Sequence, residues 1–262
     1  MTPHPPSSAG HLAGKKGLIV GIANDHSIAF GCAQAIRAQG GALAVTYLND
    51  KALPFVKPLA EQLGAEICAP LDVEQPEQME AVFEQIRRHW GGLDFVLHAI
   101  AFAPAADLHG RVLDSSAAGF ARAMDVSCHS FIRMARLAEP LMTRGGALIT
   151  MSYYGAQKVI PHYGLMGPVK AALEASVRYM AAELGPQGIR VHAVSPGPIK
   201  TRAASGINAF ESLLNDAAAR APEHQLVTIE DVGAATAMLC SDAARALTGN
   251  VLFVDAGYHV MG

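Results

Sequence analysis

The sequence predicts an α/β protein built on one doubly wound parallel sheet of seven strands. Two observations carry this. Short apolar runs of strand length recur along the chain, and segments with helical spacing separate most of them. Neither a linker nor an internal repeat breaks the alternation, so 15–262 reads as a single domain preceded by a flexible tail at 1–14.

The elements follow in order. GLIVGIA (17–23) is an apolar run of the kind a buried parallel strand needs, and 27–39 continues with apolar residues at helical spacing until Gly40-Gly41. ALAVTY (42–47) is a second strand, 51–63 a helix, AEICAP (65–70) a third strand and 76–90 a helix. LDFVLHAIA (93–101) is a fourth strand, followed by a long helical region over about 115–142 and a fifth strand, GALITMS (146–152). A helix over 165–184 leads to GIRVHAVS (188–195); a loop with short helices fills 196–225. Thr228 and Asp231 form a capping-box pattern that opens a helix over 228–241, and NVLFVDAG (250–257) closes the sheet. The architecture is Rossmann-like.

Composition narrows the function classes. With 51% hydrophobic and 16% charged residues the chain can bury a large core and keep apolar surface for subunit contacts. A net charge of -3 gives no electrostatic case for nucleic acid or an anionic membrane, and no apolar run approaches the ~18 residues of a membrane span. The four cysteines are scattered without a CxxC pair, which suits a reducing cytoplasm and argues against a disulfide framework or a zinc site. Eleven histidines form no HExxH-like ligand pair, so no metal is expected. The opening MTPHPPSSAGHLAG lacks the apolar core of a signal peptide.

Strand one runs into GIANDHSIAFG. A strand–turn–helix junction opened by Gly21 gathers backbone N–H groups and a helix N-terminus, which suits a pyrophosphate, and Ser27 is a candidate N-cap and phosphate ligand. The pattern is not GxGxxG, and a plain strand–turn–helix explains it about as well. Strand two ends at Tyr47-Leu48-Asn49-Asp50 with no arginine for a 2′-phosphate, although Lys51 is close. Asp72, at the end of strand three, can reach an adenine amino group or cap the helix that follows.

Two tyrosine–lysine pairings compete: Tyr154 with Lys158, and Tyr163 with Lys170. Tyr154 directly follows strand five, with Gly155 next and Pro161 soon after, so its pair sits in a loop and Lys158 reads as a solvated surface residue. Seven residues make two helical turns, so Tyr163 and Lys170 share one face if the helix has begun by Tyr163. Pro168 is tolerated only in a first turn, which puts the helix start near residue 165.

With GIANDHSIAFG, LDV (71–73), HAIAFAP (98–104), SYYGAQKVIPHYGLMGPVKAALEASVRYMA, GPIKTRAASGI (197–207) and TIEDVG with VDAGY, the sequence resembles the short-chain dehydrogenase/reductase superfamily. More narrowly it resembles the bacterial NADH-dependent enoyl-acyl carrier protein reductases. That resemblance implies Tyr163 and Lys170 as the catalytic pair and Tyr153 as a second active-site tyrosine. It implies dinucleotide contacts at Gly21, Ser27, Ile28, Asp72, Val73, Ile100, Lys170, Ile199, Lys200, Thr201, Arg202 and Ala203, with Ala103 against the substrate. It also implies an enoyl-acyl carrier protein or enoyl-CoA substrate, NADH as cofactor with NADPH not excluded, and a homotetramer. Residues 198–221, with Gly206, several alanines and few large apolar anchors, are expected to form a lid. Leu48, where many members are polar, and Ala101, where a glycine is usual, depart from the family pattern.

Two other functions stay open on the sequence. A β-ketoacyl or other ketone reductase is supported by Ser152, eleven residues before Tyr163. A non-catalytic NAD(H)-sensing protein would need the same fold without turnover.

Overall fold

The computed structural model describes residues 10–201 and 210–261. Seven parallel strands form one sheet in the order β3-β2-β1-β4-β5-β6-β7. These are β1 (Lys16–Val20), β2 (Ala42–Tyr47), β3 (Ile67–Pro70), β4 (Phe95–His98), β5 (Gly146–Met151), β6 (Ile189–Pro196) and β7 (Val251–Val254). The order reverses between β1 and β4, which pair in parallel from Gly17 with Phe95 to Val20 with His98. In an open sheet of this kind the loops at the carboxyl ends part at such a reversal and leave a crevice.

The helices are α1 (Ile28–Ala38), α2 (Leu53–Gln62), α3 (Pro76–Trp90), α4 (Ala105–Leu108), α5 (Ala117–Met124), α6 (Ser130–Ala138), α7 (Met166–Leu184), α8 (Phe210–Arg220) and α9 (Ile229–Cys240). One apolar layer joins the sheet to α3, α6 and α7 through residues such as Phe83, Phe131, Met134 and Leu173. The opposite layer joins it to α1, α2 and α9 through Phe30, Ile36, Val56 and Val232. Burial on both faces explains why the strands read as continuous apolar runs rather than alternating ones. Among the described residues no helix is long and apolar enough to cross a membrane.

Three expectations change. The helical region expected over 115–142 is α5 and α6 joined by a π turn at Asp125–His129, after Ser116 caps α5 by accepting from the Gly119 N–H at 2.9 Å. The expected tail does not extend to residue 14. Leu12 is fully buried in the layer with α1, and its N–H donates to the Gln39 carbonyl at 3.1 Å. Asp72 does not cap α3, because Pro76 starts that helix with Gln75 before it; the Asp72 carboxylate instead accepts from the Glu74 N–H at 3.0 Å in a local turn. The capping box is formed as expected, with Thr228 and Asp231 each accepting from the other's N–H.

Candidate active site

The crevice begins at the end of β1. Gly21 has a φ of 116°, and a Cβ there would lie 2.2 Å from the Ala99 carbonyl oxygen. Both the conformation and the close approach of the loops after β1 and β4 require glycine. Ser27 stands at the N-cap of α1, but its side chain makes no bond to that helix. Its Oγ accepts from the N–H groups of Ala23 (3.0 Å) and Asn24 (3.1 Å) and donates to Asn24 Oδ1 (3.2 Å). The hydroxyl therefore folds the loop. The first-turn N–H groups of Ile28 and Ala29, which no carbonyl inside the helix can reach, stand at the wall of the crevice. Such a helix end suits an anion.

A cavity of about 360 Å³ continues from there along the carboxyl ends of the sheet. Its walls come from the start of α1, from 99–103 after β4, from the end of β5 and the two residues after it (151–153), from the Tyr163–Lys170 stretch, from the end of β6 and its loop (196–199 and Thr201) and from Leu213 on α8. The 99–103 wall is held from behind by the π turn. Ser127 Oγ accepts the Phe102 N–H at 2.9 Å and donates to the Phe102 carbonyl at 3.0 Å. The Arg122 guanidinium lies 4.6 Å above the Phe102 ring and is itself bound by both Glu74 carboxylate oxygens at 2.8 Å.

Tyr163 and Lys170 both line this cavity, though not as neighbours on one helical face. α7 begins at Met166, and His162 (φ 64°) and Gly164 (φ 48°) take left-handed conformations that keep Tyr163 in the preceding turn. The Tyr163 ring packs on Tyr153 with centroids 4.8 Å apart at 60°. Gly155 makes room for it: a Cβ at 155 would lie 2.4 Å from Tyr163 Cδ1. Burial pushes both phenols well above their ordinary range, so they remain neutral donors. The buried Tyr153 hydroxyl has no hydrogen-bond partner among the described residues.

Lys170 is 4% exposed and donates from Nζ to the Met151 carbonyl at 2.6 Å. Burial pulls its ammonium down from 10.5 to about 8, opposed by Cys128 and Glu174. The Cys128 thiol is itself pushed up by burial and stays neutral, so Glu174 is the negative charge that favours the ammonium. Ser152, the residue that supported a ketone reductase, donates its hydroxyl to Glu174 Oε1 at 2.6 Å.

The competing pair is not assembled. Tyr154 is buried against Phe253 and Tyr258 and donates to the His259 carbonyl at 3.0 Å, whereas Lys158 is exposed. Both border a separate cavity of about 510 Å³ that contains neither Tyr163 nor Lys170.

Of the residues singled out in the sequence, Ile28, Ile100, Ala101, Ala103, Ser152, Tyr153, Tyr163, Lys170, Ile199 and Thr201 line the central cavity. Gly21 and Ser27 shape the loop that leads into it. Asp72 and Val73 lie at the end of β3, beyond β2, and the Val73 carbonyl accepts from Arg133 Nη2 at 2.7 Å. The Lys200 side chain is exposed and pairs with Glu211 at 2.6 Å, and Lys200 does not line the central cavity. Arg202 and Ala203, with the 202–209 part of the expected lid, lie outside the described residues. Leu108, Met166 and Leu213 line the cavity without having been anticipated. Only Met166, one turn before Lys170, had a usable signal in its spacing.

A Rossmann-like sheet with a buried tyrosine–lysine pair beside its topological reversal defines an oxidoreductase of the reductase type. A family model described as enoyl-(acyl carrier protein) reductase matches residues 21–259, and the chain belongs to that family. Among its relatives is the enoyl-[acyl-carrier-protein] reductase [NADH] 1 of Rhizobium meliloti, 48% identical over 97% of this chain and 94% of that protein. The enoyl-[acyl-carrier-protein] reductase [NADH] FabI of Rickettsia felis is 46% identical over 97% and 98%. The Anaplasma phagocytophilum enoyl-(acyl-carrier-protein) reductase, solved in complex with NAD, superposes with a TM-score of 0.94 at 48% identity, covering 97% of each chain.

Proposed function

We propose that this protein reduces the trans-2 double bond of enoyl thioesters carried on acyl carrier protein, with NADH as the reductant, in fatty acid biosynthesis. The observation that carries the reading is the convergence of Tyr153, Tyr163 and Lys170 on one cavity whose far end is the free helix terminus of α1. When bound, NADH supplies a hydride to the β-carbon of the enoyl chain. Negative charge then develops on the thioester carbonyl oxygen, three bonds from the carbon that receives the hydride, and a proton taken up at the α-carbon from solvent completes the reduction. Tyr163, neutral and donating, is suited to that oxygen; a positioned donor at an oxyanion is commonly worth roughly 10²–10³ in rate. Lys170, charged below about 8, would hold the nicotinamide ribose hydroxyls and add positive potential. Tyr153 shapes the acyl pocket with the ring that packs on Tyr163.

The residues fit this cofactor at its phosphates, through the α1 terminus and the Gly21 turn. They favour NADH over NADPH, because the end of β2 carries no arginine and Asn49 turns its carboxamide oxygen inward to the Lys51 and Ala52 N–H groups. A ketone reductase is disfavoured because Ser152, the serine it would need, is spent on Glu174. A homotetramer and acyl carrier protein as the docking partner complete the reading. The test compares NADH oxidation with crotonyl and acetoacetyl thioesters, each repeated with NADPH. Turnover of the crotonyl substrate with a higher kcat/KM for NADH is expected. Preference for the acetoacetyl substrate would favour the ketone reductase, and no turnover on either a sensor.

A further inference from the structure

After Ser152 gives its N–H to the Val194 carbonyl at 2.7 Å, the chain leaves the sheet and enters a short 3-10 turn at Tyr154–Ala156. The turn is the mould of the active site. Tyr153 supplies the ring on which Tyr163 packs, and Gly155 leaves room for the Tyr163 ring, which a Cβ at 155 would meet at 2.4 Å. Glu174, on α7 one helical turn after Lys170, grips this turn at both ends. Its Oε1 accepts from Ser152 Oγ at 2.6 Å and its Oε2 accepts from Gln157 Nε2 at 3.1 Å. Tyr153 and Gly155 lie between those two donors in the chain. At 3% exposure the carboxylate has no water to replace them. A carboxylate buried at that cost and bound through both oxygens is a fixed strut, unlike an exposed lysine–glutamate pair on a helix surface.

We propose that Glu174 is a positioning residue for enoyl reduction, holding the 152–157 turn so that Tyr153 and Tyr163 meet the thioester in the productive geometry. The proposal rests on the assignment of Tyr163 as the donor to the enolate oxygen. Glu174 touches neither substrate nor cofactor; it acts through the turn. Lys170, one helical turn away on the same helix, is anchored separately to the Met151 carbonyl and reports on the cofactor half of the site.

The test uses the full-length enzyme with crotonyl-CoA, Glu174→Gln and Glu174→Leu, and NADH binding followed at mildly acidic pH, where Lys170 is charged. Loosening a positioned donor typically costs ~10- to 100-fold in rate. Glu174→Gln, which keeps one oxygen for Ser152, should lose about tenfold in kcat and Glu174→Leu about a hundredfold, while the Kd for NADH stays within about threefold. Ser152→Ala, a small change that leaves the carboxylate in place, should lose kcat severalfold with the same unchanged Kd, and it keeps the test open if the Glu174 variants do not fold. Wild-type kcat in Glu174→Gln or in Ser152→Ala would overturn the proposal. So would NADH affinity falling in parallel with kcat, the mark of a general packing defect. Tyr163→Phe in the same assay separates the two ideas. Full activity of that variant removes the assignment of Tyr163, whereas an inactive Tyr163→Phe beside a fully active Glu174→Gln removes only the role of Glu174.

Discussion

Lys170 is the residue whose chemistry is most exposed to experiment. Desolvation favours its neutral form, and Glu174 resists that by too little to restore the ordinary value, so the ammonium titrates near 8. A charged donor holds ribose hydroxyls more strongly than a neutral amine. NADH affinity should therefore fall as pH rises through about 8 in the wild type. Lys170→Ala should bind NADH weakly at every pH and lose that dependence. A Kd for the wild type that stays constant across this range, followed by quenching or energy transfer to the dihydronicotinamide, would contradict the assignment. At the same scale the sequence is an incomplete guide. Ser27 was legible as a cap because Ser before a helix usually is one, yet its hydroxyl turns back to Ala23 and Asn24. Glu174, four residues after Lys170, has the spacing of an ordinary surface ion pair. Only burial distinguishes the strut from the surface pair, and burial depends on Ser152 and Gln157 arriving from a different part of the chain.

At the scale of elements, the π turn at Asp125–His129 matters most. A π turn rotates the residues after it relative to a regular helix and often marks a functional site. Here it directs Ser127 at the backbone of Phe102 and lets Ser130 accept from a buried His98 ring, with Nε2 and Oγ 2.7 Å apart. His98 is held neutral by burial, its ring pulled down to about 3. Ser127→Ala would leave both polar atoms of Phe102 without their partner, which should cost about 1–2 kcal/mol of stability. It should also raise KM for the enoyl thioester, because the freed 99–103 segment forms one wall of the cavity. Denaturant unfolding together with steady-state kinetics checks both, and an unchanged KM would show that the Arg122 contact is enough to hold the wall. The strands were legible because two-sided burial leaves long apolar runs; their order in the sheet was not, because the runs carry no pairing information. The π turn was not, because its sequence differs from a regular helix in no local preference. The start of α7 was nearly right from Pro168. The face that Tyr163 and Lys170 would share had the helix begun by Tyr163 does not form, because α7 starts at Met166 after a left-handed His162 that no residue type announces.

At the scale of the whole molecule, the surface is more apolar than the described chain alone explains. Leu113 is 81% exposed, Tyr179 on α7 74% and Val260 near the C-terminal end 66%. Edge strand β7 is half-buried along its whole length. Scattered apolar residues are ordinary on a protein surface, but an edge strand with no further strand beside it among the described residues, next to an apolar tail, offers a place for another copy to pair. Light scattering at micromolar concentration should give the mass of a tetramer of 27.5 kDa chains, and a monomer would contradict the proposed assembly. The proposed function turns on one residue more than on the assembly: Tyr163, not Tyr154, as the donor to the enolate oxygen. The direct measurement is kcat on crotonyl-CoA at saturating NADH for Tyr163→Phe and for the double variant Tyr154→Phe with Lys158→Ala. The account predicts that Tyr163→Phe falls by roughly 10²–10³ with its NADH affinity intact, while the double variant stays near wild type. Full activity in Tyr163→Phe, with activity lost in the double variant, would contradict it.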